Sequence, residues 1–134
     1  MYAVEVRDHI MIGHSLPGDF FGPAQGLHGA TFVVDVAFFC ETLGTHAVVV
    51  DIGRAHDVLK KVLGELNYKN LDALPQFKGK LTTTEMLSRY IFDRFSEALK
   101  KNELGEDSKG VSKIRVTLHE SHVARAWFEG NTGA

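Results

Sequence analysis

From Phe32 to Cys40 the chain is apolar at nearly every position, in a stretch that begins at Leu27. A strand with one wet face alternates polar and apolar residues; this one does not. It therefore calls for cover on both faces, supplied by its own fold or by an oligomer. Tyr2 to Ile12 is rich in β-formers, with Ile10 and Ile12 in alternation, and reads as a first strand. The turn Leu43-Gly44-Thr45 leads into Ala47-Val48-Val49-Val50, a short third strand. Later, Ile114, Val116 and Leu118 alternate with Lys113, Arg115 and Thr117, the pattern of a half-buried strand. A turn near Ser121 precedes a final strand through Phe128.

Two helices lie between these strands. Asp51 stands where its carboxylate can accept the free amides of a first helical turn. Ala55, Val58, Leu59, Val62, Leu63 and Leu66 follow at helical spacing, with Lys60, Lys61 and Glu65 outward. Thr82 with Glu85 forms a capping-box pair for a second helix, whose stripe is Leu87, Tyr90, Ile91, Phe95, Ala98 and Leu99. Residues 15–26, rich in glycine and proline, form a long loop; 67–80 are irregular, and 100–110 are a polar loop. Strands, two helices, then strands predict an α+β domain spanning 1–134, an antiparallel sheet with both helices on one face.

Composition narrows the function classes. A net charge of −2, with Lys and Arg dispersed, gives no electrostatic case for nucleic acid or an anionic membrane. No apolar run reaches the roughly 18–20 residues of a membrane span. The stretch Met1 to Asp8 lacks the basic-then-apolar order of a secretion signal, so a cytoplasmic location is expected. The single cysteine, Cys40, suits a reducing compartment and continues an apolar run, which makes it a buried small hydrophobe.

The histidines carry the chemical interest. His14 precedes the Gly/Pro-rich loop, and His28 follows it at a strand start. Residues two apart on a strand share a face, about 7 Å apart. A histidine at position 30 would therefore join His28 and His14 around one metal ion, but the residue there is Ala30, and a methyl group binds no metal. Glu120 shares the parity of Ile114, Val116 and Leu118, so a strand that runs on points its carboxylate to the apolar side, where it needs a partner or ligand. A strand that bends first leaves it in water. His119-Glu120-Ser121-His122 is not a metalloprotease motif, because its histidines are three apart rather than four. Gly79-Lys80-Leu81-Thr82 lacks the spacing of a phosphate loop. His9, His46 and His56 read as surface or strand-end residues.

Taken in order, these pieces resemble the 6-pyruvoyl-tetrahydropterin synthase / 6-carboxy-tetrahydropterin synthase family. The likeness rests on His14-Ser15-Leu16-Pro17-Gly18, Gly22-Pro23 through Leu27-His28-Gly29, Asp51-Ile52-Gly53, Leu66-Asn67-Tyr68, Thr83-Thr84-Glu85 and Glu120. It implies the tunnelling fold (T-fold), in which the sheets of three subunits join into a barrel. Two such trimers stack as a homohexamer, with pterin sites between subunits. It also implies three zinc-binding histidines and a cysteine–aspartate–histidine triad. Here the zinc positions are His14, His28 and Ala30, and the triad positions are Ala24, Asn67 and Tyr68. Alanine transfers no proton, an amide does not titrate near neutrality, and a phenol with a pKa near 10 is a poor substitute for imidazole. No cofactor is expected, and zinc only if a ligand outside the family's pattern completes the site.

The recognition positions read differently. In the family a glutamate grips the amino-pyrimidine edge of the pterin, helped by the threonines ahead of the T-T-E glutamate. Glu120, Thr83, Thr84 and Glu85 occupy those positions. The resemblance thus implies a protein that binds a pterin, or a related purine-like heterocycle, without the zinc-dependent synthase reaction. Two alternatives stand beside it. One is a metal-free enzyme of aldolase or epimerase type acting on a pterin side chain through Tyr68; the other is a structural oligomer with a vestigial pocket.

Overall fold

The computed structural model describes residues 1–133. Four strands, β1 (Tyr2–His14), β2 (His28–Cys40), β3 (Val111–Ser121) and β4 (Ala124–Asn131), form one sheet in the order β1-β2-β3-β4. Every neighbouring pair is antiparallel. The helices α1 (Ile52–Gly64) and α2 (Thr84–Lys100) enter between β2 and β3.

Register explains which side chains meet. Ile10 pairs with Phe32, Val36 with Val116, and Val116 with Phe128, so even-numbered residues oppose even-numbered ones throughout most of the sheet. Because strand side chains alternate, the even positions of all four strands face one way. That face buries Ile10, Phe32, Val34, Phe38, Ile114, Val116 and Leu118. It packs against Ala55, Val58, Leu59, Val62 and Leu63 of α1 and Leu87, Ile91, Phe95 and Ala98 of α2. Each fully buried Leu or Phe contributes about 1.5–3 kcal/mol. α1 lies over β1, and α2 over β3 and β4. Both helices cover one face, as the sequence pattern predicts.

The opposite face takes the other residues of the apolar run of β2, interrupted by Asp35. Among the described residues no second layer covers it; long neighbouring side chains do. Lys113 and Arg115 lie over the Phe39 ring, with Nζ and Cζ at 4.5 and 5.5 Å from its centroid. Cys40 is buried, as expected.

Three local expectations need correction. Ala47 to Val50 is not a strand. Val49 and Val50 are buried because the link into α1 plugs the core, and the segment turns through Ala47 at φ 56° with its N–H bonded to Gly44. Second, α2 is capped by Thr83 rather than Thr82: the Thr83 hydroxyl accepts from the Met86 N–H at 3.2 Å. Third, the loop 15–26 contains an irregular 3-10 segment, Asp19–Gln25. Asp51 caps α1 as predicted, accepting from the Arg54 N–H at 3.1 Å; such a cap stabilises by about 1 kcal/mol.

Candidate binding site

His14 ends β1 and His28 opens β2, directly opposite each other in the register. Their rings meet edge to face, with centroids 4.6 Å apart. Each ring is oriented by its Nδ1. In His28 it lies 2.8 Å from the Gly26 carbonyl, and in His14 it lies 3.1 Å from the Thr82 carbonyl and 3.0 Å from the Thr82 hydroxyl. A carbonyl only accepts, so the proton of each ring is on Nδ1 and the Nε2 lone pair is free. Imidazoles that bind metal are held in this way, by donation of the other nitrogen to a backbone carbonyl. Burial pushes the His14 pKa down; the neighbouring His28 acts in the same direction, while Thr82, Asp72 and Glu120 oppose it.

These two rings form one wall of a cavity of about 480 Å³. Ala30 lines it on the same strand as His28, so the methyl group faces the space a third imidazole would fill. Ala24 reaches the wall because the Leu16 N–H bonds to its carbonyl at 3.0 Å, which folds the loop back. Ser15 anchors the other end of the loop through its hydroxyl to Asp72 at 2.5 Å. Thr83, Thr84 and Glu85, the cap and first residues of α2, line the cavity too, and the leading N–H groups of that helix have no acceptor within it.

Glu120 completes the lining. Its carboxylate is exposed rather than buried, so the sequence argument from desolvation does not hold in the isolated chain. The parity argument holds: Glu120 points to the helix side of the sheet, into the cavity. The β3–β4 register shifts between His119 and Ser121, leaving Glu120 at an irregularity of the kind that re-aims side chains beside functional sites.

Asn67 and Tyr68 are not brought into this cavity. The Asn67 side chain accepts from the Met11 N–H at 3.0 Å, and the Tyr68 N–H donates to the Met11 carbonyl at 2.7 Å, so both tie the chain to the outer edge of β1. Tyr68 is 79% exposed and lines an adjoining open groove with Met11, Leu27 and Lys69. Its φ of 60° is strained for a residue with a side chain.

Sequence reasoning missed Thr82, which is 1% exposed and holds His14. The signal was three successive threonines where a cap needs one. It also missed Asp35, the lone charge inside the apolar β2, which binds Arg7 and His119 on the far face.

Among the described residues, no three His, Cys, Asp or Glu side chains are grouped to hold one metal ion. The donor set here is two imidazoles beside a methyl group, which does not fit a site with three protein ligands.

The sequence model of 6-pyruvoyl tetrahydropterin synthase matches residues 3–131. This chain belongs to that family. It is 33% identical over 82 residues to a 6-pyruvoyl tetrahydrobiopterin synthase of Dictyostelium discoideum, a match spanning 60% of this chain and 61% of that protein. The chain thus covers less than two thirds of that relative's length. The fold is shared with the Caenorhabditis elegans synthase, at a TM-score of 0.79 and 21% identity over 96% of this chain and 95% of that one. It is also shared with the Plasmodium vivax synthase, at 0.75 and 16% over 98% and 99%. The four-stranded antiparallel sheet with helices on one face is therefore the tunnelling fold of the family. Among the described residues no helix is long and apolar enough to cross a membrane.

Proposed function

We propose that this family member binds a pterin, or a related 2-amino-pyrimidine heterocycle, and does not perform the zinc-dependent synthase reaction. The single observation carrying this reading is the pairing, in one cavity, of Glu120, Thr83 and Thr84 with the incomplete set His14, His28 and Ala30. A carboxylate facing an amino-pyrimidine edge accepts two parallel N–H bonds, a charge-assisted contact stronger than a neutral one. The open amides and hydroxyls at the start of α2 suit the remaining polar edge of the same ring. Glu85 joins that wall as a further acceptor.

The chemistry positions lack their counterparts. Ala24 can neither take nor give a proton, Asn67 is committed to the Met11 amide, and Tyr68 lies outside the cavity. Tight zinc binding is not part of the proposal, because Ala30 offers no lone pair. The assembly proposed is the family's homohexamer of two trimers, in a cytoplasmic setting, with neither nucleic acid nor membrane as partner. In that assembly the edge of β4 and the part of the β1 edge not bonded to residues 67–70 would be closed.

Isothermal calorimetry with neopterin or biopterin tests the reading. Saturable binding by the wild type, lost in Glu120→Ala, is expected; no binding by the wild type, or equal binding by the variant, refutes it. One observation favours a second reading: Tyr68, exposed and strained, lines the same open groove as His28, where its phenol is free for metal-free proton transfer. Turnover of a pterin substrate by metal-free protein, abolished in Tyr68→Phe, would replace binding with catalysis.

A further inference from the structure

The face of the sheet turned away from the helices carries a separate cavity of about 260 Å³. Register places Arg7, Asp35, Thr117 and Trp127 directly opposite one another across β1, β2, β3 and β4. Neighbouring strands lie about 4.8 Å apart, so this row spans roughly 14 Å. Thr117 is short and stands between tall neighbours, which makes it the floor. Arg115 lies two residues away along β3, and His119 pairs with Arg125 on the other side.

The charges are arranged for an anion. Asp35, with a side chain only 6% exposed, is fully engaged. It accepts from Arg7 Nε at 2.6 Å, from Arg7 Nη2 at 2.9 Å and from His119 Nε2 at 2.8 Å. Its negative charge is thereby neutralised, and the unused N–H donors of Arg7 are held in a fixed plane. Arg115 lies over the Phe39 ring and has one distant charged partner, Glu5 at 4.0 Å, which also lines the cavity. Arg125 makes no salt bridge among the described residues, although it lines the cavity. Thr117 is 7% exposed and lines the cavity. Trp127 presents a 54% exposed indole with no aromatic partner among the described residues. An Arg125 without an ion pair, an Arg115 with one distant charged partner and an open aromatic face converge on one depression.

We propose that this cavity binds a phosphate-bearing aromatic molecule of nucleotide type, its phosphate held by Arg115, Arg125 and the Thr117 hydroxyl and its ring stacked on Trp127. Guanidinium forks match phosphate oxygens in pairs, and indole faces hold planar heterocycles. The site is independent of the pterin reading, because it uses odd-numbered residues on the opposite side of the sheet.

Trp127 is the only tryptophan in the chain, so its fluorescence reports this cavity alone. Titration with a nucleoside monophosphate at low ionic strength should change the emission saturably. The unphosphorylated nucleoside and inorganic phosphate should each bind at least about tenfold more weakly. Arg125→Ala should weaken nucleotide binding about tenfold or more with an unchanged far-UV circular dichroism spectrum, and Arg125→Lys should recover part of it. Glu120→Ala should leave the titration unaltered. No saturable response from the wild type, equal affinity in Arg125→Ala, or inorganic phosphate binding as tightly as the nucleotide would overturn the proposal.

Discussion

Replacing Ala30 by histidine is the most direct test of what this site lacks. Position 30 shares a strand face with His28, about 7 Å away, and both line the cavity that His14 enters. The two existing rings already have free Nε2 atoms and fixed orientations. A metal that binds only the native state stabilises it by about 2.7 kcal/mol at a hundredfold excess over Kd. In a domain of this size each kcal/mol moves Tm by about 3 °C, so the variant should melt roughly 8 °C higher with zinc than with a chelator. The wild type, with two protein ligands, should shift by only a small fraction of that. Adding Thr82→Val removes the hydroxyl that orients His14 and should weaken zinc binding about tenfold. Differential scanning calorimetry with metal analysis gives both quantities. Equal zinc-dependent shifts in wild type and Ala30→His, with one zinc per chain in each, would refute the reasoning.

Three further outcomes are expected. His14 should titrate below its ordinary 6.5 in histidine-resolved NMR, because burial and then His28 disfavour its imidazolium. Its native state therefore holds fewer protons than the unfolded chain, so this contribution to stability is complete above about pH 6.5 and is lost as pH falls through that value toward the lowered one. Gly130→Ala should destabilise by about 1–3 kcal/mol in urea unfolding, since the added Cβ would lie 2.9 Å from Cζ of Phe92, whose ring is packed against Phe128. Tyr68→Gly should stabilise by about 1 kcal/mol in the same assay, because it relieves a positive φ and gives up an exposed side chain.

The parts of the fold legible in the sequence were those governed by period. Ile114, Val116 and Leu118 announced a half-buried strand, and Ala55 to Leu63 announced a helix stripe, because burial of one face leaves a repeat that needs no partner to be read. Ala47 to Val50 misled for the same reason: valines that plug a core and valines that pair in a sheet have the same composition. Thr82 was misassigned because its hydroxyl is engaged by His14, 68 residues distant, a contact that local pattern does not encode. In the candidate site, the cavity-facing positions of β2 followed from alternation. The aim of Glu120 followed from alternation as well, but its exposure did not, and the remoteness of Tyr68 depended on docking to the edge of β1.

The even and odd faces of this one sheet carry different side chains, with no layer between them. His119 and Glu120 are joined by a single peptide bond, yet one clasps Asp35 among the arginines while the other looks toward the histidine pair. A deletion of one residue in β3 ahead of them would turn each to the other's side, stranding a carboxylate among guanidiniums and removing Glu120 from the cavity wall in the same event. The spacing of this chain is therefore held in place twice, once from each side, and length changes inside its strands should be tolerated far less than any exchange of side chains.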